Sequence, residues 1–350
     1  MREFATILVT GGAGFIGSSF IRHLFDTVHF PGTVITLDAL TYAGNRDNLS
    51  DIEERHGGKR FHFVEGDIRE RAFVESVFRD WHPDAVAHFA AETHVDRSIS
   101  GPEVFLQTNV TGTFNLLDAA RKTWTDGRQR ILHHVSTDEV FGSLGGSGSF
   151  TEETPYAPRS PYAATKAGSD HIALAWHHTF GLPVTLSNCS NNYGPFQFPE
   201  KLIPLMILNM LEGKPLPVYG DGLNIRDWLF VEDHAAAVWK IMTEGRAGER
   251  YNVGGRNERE NLRLVREICT AVARVTGREV EDLLGLITFV KDRPGHDRRY
   301  AIDCTKIEQE LGWKPAVSFA EGLELTVRWY LAHAAWVQNV RVRAYRGSPA

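Results

Sequence analysis

The chain has little of what marks secreted, metal-binding or membrane-spanning proteins. Its 350 residues include only three cysteines, Cys189, Cys269 and Cys304, which are far apart and form no Cys-x-x-Cys pair. This spacing argues against a disulfide framework and against a metal site, and it fits a reducing compartment. The sequence has no run of about 20 apolar residues, and residues 1–9 predict a strand rather than a signal peptide. We therefore expect a cytoplasmic protein that does not enter a membrane.

The chain also lacks a large charge of either sign. It has 38 Lys and Arg against 44 Asp and Glu, for a formal net charge of -6. A general surface for nucleic acid is therefore not expected, although a single nucleotide needs only a local cluster of donors. Hydrophobic residues make up 42% of the chain, which is enough to build a substantial core.

In the first half of the chain, short β-rich runs alternate with helical patterns. Strands are predicted around residues 7–9, 33–37, 60–64, 85–88, 131–136 and 184–187, and helical patterns around 69–80, 103–122 and 161–180. This alternation predicts an α/β fold with right-handed βαβ units and a doubly wound parallel sheet of the Rossmann type.

A glycine-rich turn follows the first predicted strand. Residues 10–17 read TGGAGFIG, with Gly11, Gly14 and Gly17 between the strand and a helix. Glycines at these positions let the backbone approach a pyrophosphate, and the helix N-terminus offers free N–H groups. Asp38 ends the second strand, where a carboxylate binds ribose hydroxyls and repels a 2′-phosphate. The pattern predicts NAD rather than NADP.

The composition changes after about residue 190, where Pro and Gly become frequent and helices predominate. We predict a NAD-binding Rossmann domain over residues 1–190, with a return segment at 226–255. Residues 191–225 and 256–335 are predicted to form a smaller, mostly helical substrate-binding domain. Residues 336–350 are predicted to be a C-terminal tail.

Tyr162 and Lys166 are four residues apart on a predicted helix and share one face. A free tyrosine has a pKa of about 10, and lowering it to about 7 requires roughly 4 kcal/mol. A lysine ammonium and an oxidised nicotinamide could together supply this stabilisation, so Tyr162 is a candidate base. Taken alone, the pair is equally typical of a solvated helix face.

Residues 136–139 read STDE and follow the fifth predicted strand, at the edge of a parallel sheet where ligands bind. Repulsion between Asp138 and Glu139 raises the pKa of one carboxyl group, so an acid and a base can stand side by side. The residues alone do not say which is which, and a solvated turn is the alternative.

Four segments resemble the extended short-chain dehydrogenase/reductase family and, within it, the dTDP-glucose 4,6-dehydratases. They are residues 90–98 (AAETHVDRS), 136–139 (STDE), 188–195 (NCSNNYGP) and 293–300 (RPGHDRRY). The resemblance runs from about residue 5 to about residue 330. It departs from the usual family pattern at Thr93, at Phe141 and at Phe196-Gln197, none of which is a predicted catalytic position.

The resemblance implies conversion of dTDP-glucose to dTDP-4-keto-6-deoxyglucose and water. Tyr162 would take the proton of the C4 hydroxyl while hydride passes to NAD, and Thr137 would hold the developing ketone oxygen. Glu139 would then remove the C5 proton, and Asp138 would protonate the leaving C6 hydroxyl. The hydride would return to C6, so NAD is regenerated in each turnover and should stay tightly bound.

The resemblance also implies most of the remaining site residues. With the predicted glycines and catalytic residues, those expected to face NAD are Gly11, Gly14, Phe15, Ile16, Gly17, Asp38, Thr41, Asp67, Ile68, Ala90, Ala91, Thr108, Ser136, Tyr162, Lys166 and Asn192. Those expected to face the nucleotide sugar are Thr93, Thr137, Asn191, Lys201, Leu202, Pro217, Tyr219, Arg226, Asn261, Arg293 and His296. Three of the latter are cations that can neutralise a diphosphate, although isolated cations usually form surface ion pairs. A homodimer through the helices near 103–122 and 161–180 is also implied, with an internal helix face as the alternative.

Related enzymes on the same scaffold remain open from the sequence. A UDP-sugar 4-epimerase would need the glycines, Tyr162 and Lys166, but has no need of Asp138 and Glu139 for dehydration. A UDP-glucose 4,6-dehydratase shares the Thr-Asp-Glu segment, whereas GDP-mannose 4,6-dehydratases usually carry Ser in place of Asp138 and prefer NADP. A non-catalytic NAD-sensing regulator would be free to lose these side chains.

Overall fold

A parallel seven-stranded sheet forms the centre of the structure, a computed structural model that describes residues 1–292 and 296–346. The strands are β1 (Thr6–Thr10), β2 (Thr33–Asp38), β3 (Phe61–Glu65), β4 (Ala85–His88), β5 (Ile131–Thr137), β6 (Val184–Cys189), β7 (Asn191–Tyr193), β8 (Leu216–Tyr219), β9 (Ile225–Arg226), β10 (Trp228–Phe230), β11 (Arg250–Val253), β12 (Arg259–Glu260) and β13 (Ile287–Val290). The central sheet has the order β11-β6-β5-β4-β1-β2-β3. All its neighbouring strands pair in parallel. The predicted doubly wound α/β fold is confirmed.

The α-helices are α1 (Phe15–Arg22), α2 (Ser50–His56), α3 (Arg71–Trp81), α4 (Val95–Ser100), α5 (Pro102–Phe105), α6 (Thr113–Thr123), α7 (Pro161–Phe180), α8 (Leu202–Glu212), α9 (Val231–Glu244), α10 (Asn261–Thr276), α11 (Val280–Leu284), α12 (Thr305–Leu311), α13 (Phe319–Ala332) and α14 (Ala334–Arg346). Short π-helical segments follow at His23–Thr27 and Leu106–Gly112, and 3-10 turns at Arg46–Leu49 and Asp138–Phe141. Across the described residues, none of these helices is long and apolar enough to cross a membrane.

Each face of the sheet is covered by helices that bury an apolar side. On one face, Phe20 of α1 and Val238 of α9 pack against strand residues such as Val9. On the other face, Phe78 of α3 and Leu116 of α6 do the same. Because both faces are covered, most strand residues are buried rather than alternating between buried and exposed, and β5 and β6 are buried throughout although they contain polar residues. The strand order reverses between β1 and β4, which opens a crevice at the carboxyl ends of the strands.

A second lobe follows β6 and has its own core. Helices α8, α10 and α13 pack around fully buried residues such as Tyr193, Ile207, Ile268 and Val327. Three two-stranded sheets, β7-β10, β8-β13 and β9-β12, complete the lobe. The chain returns to the central sheet at β11, which pairs with β6. The division of the chain into two domains at the boundaries given above stays a prediction.

The segment from residue 336, which we expected to be a tail, is helical to residue 346, so that prediction was wrong. Trp336, Val337 and Val340 of α14 are buried in the core of the second lobe. The spacing of these residues fits one helical face. They find partners only because α14 lies against α13, a tertiary contact that the local sequence does not reveal.

Candidate active site

A cavity of about 330 Å³ lies along the carboxyl edge of the central sheet. It is lined from the glycine turn after β1 to Lys201 at the start of α8. Every residue that the sequence analysis expected to face NAD lines this cavity. They converge because the carboxyl ends of parallel strands meet at one edge of a sheet.

The glycine turn is too tight for side chains at two of its positions. Gly11 has a φ of +70°, and a Cβ there would lie 2.6 Å from the Ala90 nitrogen. A Cβ on Gly17 would lie 2.2 Å from the Gly11 oxygen. Gly14 caps the N-terminus of α1 without a side chain. The turn therefore leaves backbone open to the cavity beside a helix N-terminus, which suits a pyrophosphate.

Asp38 ends β2 and lines the same cavity. Its Oδ2 accepts the Ala13 N–H at 2.9 Å, and its Oδ1 accepts the Leu40 N–H at 2.8 Å. Burial raises the pKa of Asp38, and these two backbone hydrogen bonds oppose the rise. An ionised carboxylate has about four acceptor sites, so capacity remains for ribose hydroxyls.

The start of α7 positions Tyr162 and Lys166. The Ser160 hydroxyl caps the helix by accepting the Ala163 N–H at 3.1 Å, and Pro161 occupies the first turn. Tyr162 and Lys166 follow at a spacing of four, and both line the cavity. The alternative that the sequence left open, a solvated helix face, is therefore excluded for this pair.

Without a dinucleotide, the surroundings of Tyr162 favour its neutral form. Burial raises the pKa of Tyr162 well above its usual value, and the charge of Glu139 raises it further, while a hydrogen bond with Thr93 acts in the opposite direction. The Lys166 ammonium donates to the Val135 carbonyl at 2.8 Å, and burial lowers the pKa of Lys166. The protein alone therefore favours a protonated Tyr162, because desolvation and the charge of Glu139 both oppose the phenolate.

The segment at 136–139 turns its side chains in different directions at the end of β5. Thr137 caps a 3-10 turn, and its Oγ1 accepts the Glu139 N–H at 3.3 Å. Thr137 and Glu139 line the cavity, whereas Asp138 lies behind it and is only 1% exposed. The Thr137 hydroxyl donates to Asp138 Oδ1 at 3.4 Å. A solvated turn is thus excluded for Asp138.

Asp138 is the carboxyl group whose surroundings disfavour the charged form. Burial raises its pKa well above the usual value, and the charges of Glu139 and Asp227 add to the rise. Arg226 lowers the pKa but does not reverse the shift. Two adjacent carboxyl groups in different environments are what a divided acid–base pair would need, and the sequence analysis predicted such a pair as a possibility.

Asp170 belongs to the site, although the sequence analysis did not name it. Its Oδ2 accepts hydrogen bonds from Ser136 Oγ and from Tyr156 OH, both at 2.8 Å, and its Oδ1 lies 3.1 Å from His134 Nε2. Burial raises the pKa of Asp170, but these partners and the Lys166 charge bring it below the usual value. Its position four residues after Lys166 was the available signal, since both share a helix face.

Other lining residues were also missed as site residues. They include Tyr42, Glu92, Cys189, Ser190, Gln197 and Phe198. Three of them lie within segments that the sequence analysis quoted for the family resemblance. Their side chains project into the cavity only because the strand ends and the second lobe meet there.

The residues expected to face the nucleotide sugar fall into two groups. Those that line the cavity are Thr93, Thr137, Asn191 and Lys201, and those described residues that do not are Leu202, Pro217, Tyr219, Arg226, Asn261 and His296. Arg293 lies outside the described residues. In the second group, the rings of Tyr219 and His296 are 6.5 Å apart, and the Arg226 guanidinium lies 4.2 Å from the centre of the Tyr300 ring. These residues lie on the second lobe or its junction with the sheet.

The cavity therefore combines two kinds of chemistry. The glycine turn and Asp38 fit a dinucleotide, because side chains are excluded where its backbone comes close and a carboxylate ends the next strand. The cavity is also lined by Tyr162, Lys166, Thr137 and Glu139. Asp138, whose pKa is raised, lies behind them. Such a set can move protons on a substrate while a bound dinucleotide moves hydride.

The chain is similar to known proteins over nearly its whole length. The family described as GDP-mannose 4,6 dehydratase matches residues 8–326. A dTDP-glucose 4,6-dehydratase of Neisseria meningitidis is 53% identical, and the alignment covers 97% of each chain. Another from Xanthomonas campestris is 54% identical over 98% of this chain and 97% of its own.

A solved structure shows the same architecture. DesIV, the dTDP-glucose 4,6-dehydratase from Streptomyces venezuelae, was crystallised with NAD and TYD bound. It superposes with a TM-score of 0.87 at 48% identity, covering 96% of this chain and 99% of DesIV. With relatives this similar over nearly its whole length, the chain belongs to the dTDP-glucose 4,6-dehydratase family.

Proposed function

We propose that this protein is a NAD-dependent enzyme that converts dTDP-glucose to dTDP-4-keto-6-deoxyglucose and water. The observation that carries the proposal is the carboxyl pair beside the cavity. Asp138 has a raised pKa and Glu139 lines the space that also holds Tyr162. A UDP-sugar 4-epimerase has no step that needs this pair, and a regulator needs none of the three side chains.

In the first step, Tyr162 takes the proton from the C4 hydroxyl. The Thr137 hydroxyl hydrogen-bonds the C4 oxygen as it becomes a ketone. When bound, NAD accepts the hydride from C4 and returns it to C6 at the end of the cycle. The glycine turn and Asp38 would hold its pyrophosphate and ribose, and the Lys166 ammonium, four residues along the same helix, would favour the tyrosinate when the dinucleotide is bound.

The second step removes water across C5 and C6. The C4 ketone makes the C5 proton acidic, and Glu139 takes it as a base. When hydride has added to C6 of the resulting enone, C5 is reprotonated, and Glu139 is placed to return the proton. Asp138 gives its proton to the leaving C6 hydroxyl, a role that the raised pKa of this residue supports. Asp138 is 1% exposed and does not line the cavity, so its carboxyl group would have to reach the C6 hydroxyl from behind the lining residues.

The test of this proposal is incubation of the purified protein with dTDP-glucose, with no NAD added. We expect mass spectrometry to show loss of the mass of one water, since NAD retained from expression is regenerated in each turnover. UDP-glucose and GDP-mannose, assayed in parallel, decide the nucleotide preference. An unchanged mass for dTDP-glucose, even with NAD added, would contradict the proposal, and the C4 epimer would then be sought by chromatography.

Tyr162→Phe removes only the hydroxyl that is proposed to accept the C4 proton. We expect C4 oxidation to slow by about 10²–10⁴-fold, the usual contribution of a general base. The measurement is reduced nicotinamide formed in a single turnover with dTDP-glucose. Tyr251→Phe is the matched control, because Tyr251 is a buried tyrosine that bonds Arg246 and Glu310 away from the cavity. Equal rates in the two variants would remove Tyr162 from the mechanism.

Asp138→Asn keeps the shape of the side chain but cannot transfer a proton. We expect about 10²–10⁴-fold slower water loss while C4 oxidation persists, so that reduced nicotinamide and a 4-keto sugar nucleotide accumulate. Because only protonated Asp138 is the acid, water loss in the unchanged protein should fall as pH rises through the raised pKa. That alkaline fall should be absent from the residual activity of the variant.

Two further variants serve as a control for Asp138→Asn and as a test of Glu139. Asp126→Asn, at an ion-paired position on the surface, should leave both steps unchanged. Glu139→Gln should also impair water loss more than oxidation. If Glu139→Gln turned over at the normal rate, its assignment as the C5 base would be wrong.

We also propose that two copies of the chain associate through α4 to α7. Three apolar side chains on these segments support this proposal, since Ile99, Leu106 and Phe180 are at least 50% exposed. Isolated exposed apolar residues are normal, but three on neighbouring helices suit an interface. The second copy would cover them by its own equivalent residues, as a two-fold axis requires.

Leu106→Glu should convert the dimer to a monomer, because it would bury two like charges near the two-fold axis. Sedimentation velocity measures the change. Leu325→Glu is the control, since Leu325 is 45% exposed on α13 in the other lobe. A monomeric unchanged protein, or a dimer that survives Leu106→Glu, would refute this interface.

A cytoplasmic location is part of the same proposal. Cys189, Cys269 and Cys304 are all free and buried. Free thiols are what reducing compartments maintain, which supports the location without establishing it.

A further inference from the structure

The C-terminal helix α14 is linked to the glycine turn through one side chain. Trp336 donates its indole N–H to Asn48 Oδ1 at 2.8 Å. Asn48 in turn donates from Nδ2 to the Ala13 carbonyl at 2.8 Å, and that carbonyl also accepts the Asn45 N–H at 3.0 Å. Asn48 is 2% exposed and Trp336 is 9% exposed, so water competes little for these bonds. Residues 10–17 are thereby tied to a helix more than 300 residues further along the chain.

The same part of the second lobe holds the loop on the opposite side of the cavity. Phe196 and Gln197 line the cavity. The Phe196 ring centre lies 4.5 Å from that of Trp329 and 5.9 Å from that of Trp336. The Tyr330 hydroxyl donates to the Gln197 carbonyl. We call Phe196, Trp329, Tyr330 and Trp336 the aromatic clasp.

Arg22 connects the clasp to the helix that begins at the glycine turn. Its guanidinium lies 4.0 Å from the centre of the Phe196 ring, a cation–π contact. It also donates to the Asn48 carbonyl and to Asp51 Oδ1. Because Arg22 is the last residue of α1, the helix is held at its end by the clasp and at its start by the turn.

The proposed reaction makes retention of the dinucleotide a requirement, and the inference rests on that proposed function. The hydride taken from C4 must return to C6 of the same sugar. Release of the reduced dinucleotide after the first step would leave a ketone that cannot complete the cycle. A structure that closes both sides of the cavity on the dinucleotide would prevent this loss.

We propose that Trp336 is a positioning residue that acts through Asn48 to slow the release of NAD. The bond to Asn48 holds the Ala13 carbonyl, and with it the N–H groups of the turn, against the pyrophosphate. The clasp holds the loop at 196–197 over the cavity at the same time. Trp336 does not line the cavity, so its effect on the dinucleotide is indirect.

The experiment measures exchange of bound NAD in the purified holoenzyme. Excess NAD deuterated on the nicotinamide ring is added, free nucleotide is removed by rapid desalting, and the bound isotopes are counted by mass spectrometry. Trp336→Phe keeps an aromatic ring at this position but replaces the indole and removes its N–H. We expect its exchange to be about five-fold faster, the factor that corresponds to the loss of one hydrogen bond.

The double variant separates this role from a merely structural one. Asn48→Ala alone should also speed exchange. Trp336→Phe added to Asn48→Ala should speed it no further, because Asn48→Ala already removes the hydrogen bonds from Trp336 and to the Ala13 carbonyl. Trp124→Phe is the matched control, since Trp124 donates its N–H to the Pro83 carbonyl at 2.9 Å on the far side of the sheet. It should exchange at the rate of the unchanged protein.

Each outcome decides the proposal. Normal exchange in Trp336→Phe with a lowered melting temperature would show a structural role only and overturn it. Equal acceleration in Trp124→Phe, or additive effects in the double variant, would overturn it as well. The proposed function would also be overturned if the unchanged protein held no NAD and left dTDP-glucose unconverted even with NAD added. If the unchanged protein holds NAD and dehydrates dTDP-glucose while Trp336→Phe exchanges normally, only the proposal for Trp336 is overturned.

Discussion

Burial of the carboxyl edge of the sheet governs the proton chemistry of this site. The same desolvation raises the pKa of Asp138 and of Tyr162 and lowers that of Lys166. It favours the neutral form of each group, which suits an acid but opposes a tyrosinate base. The surroundings must therefore supply positive charge near Tyr162 when it loses its proton. Lys166 is the described cation that α7 brings to the same wall of the cavity, and Asp170 opposes the loss of its charge.

Asp170 shows how a buried charge can be stabilised without lying in the cavity. It is held by Ser136, Tyr156 and His134 and is below 1% exposed. An unpaired carboxylate in that position would be very unfavourable, so its partners are part of the site. Through Ser136, which lines the cavity, the network also holds the end of β5 from which Thr137 and Glu139 extend.

The features that the sequence predicted well are those encoded locally. Alternation of strands and helices predicts the sheet, and the glycines of residues 10–17 with Asp38 predict the dinucleotide site, because each depends on a few consecutive residues. The carboxyl pair at 138–139 could be recognised, but the full shift of the Asp138 pKa could not, since the charges of Asp227 and Arg226 from the second half of the chain contribute to it.

The C-terminal region was predicted least well. Residues 334–346 gain their helix partners from α13, and their link to the turn at residues 10–17 crosses almost the whole sequence. No local pattern around Trp336 points to Asn48, because the pair is defined only once both lobes have folded. The sequence did mark the loop that Trp336 also packs against, since Phe196-Gln197 departs from the family pattern.

Phe196 has a φ of +65°, a left-handed conformation that costs a non-glycine residue roughly 1–2 kcal/mol. Aromatic pairs contribute about 0.5–1.5 kcal/mol each and a cation–π contact about 0.5–1 kcal/mol. The contacts of Phe196 with Trp329, Trp336 and Arg22 can therefore offset this strain. Backbone strain of this kind persists only where the surrounding structure fixes it, and it concentrates at functional loops. The contacts that fix the Phe196 conformation come from α1, α13 and α14. These helices, rather than the loop alone, therefore determine where Phe196 and Gln197 line the cavity.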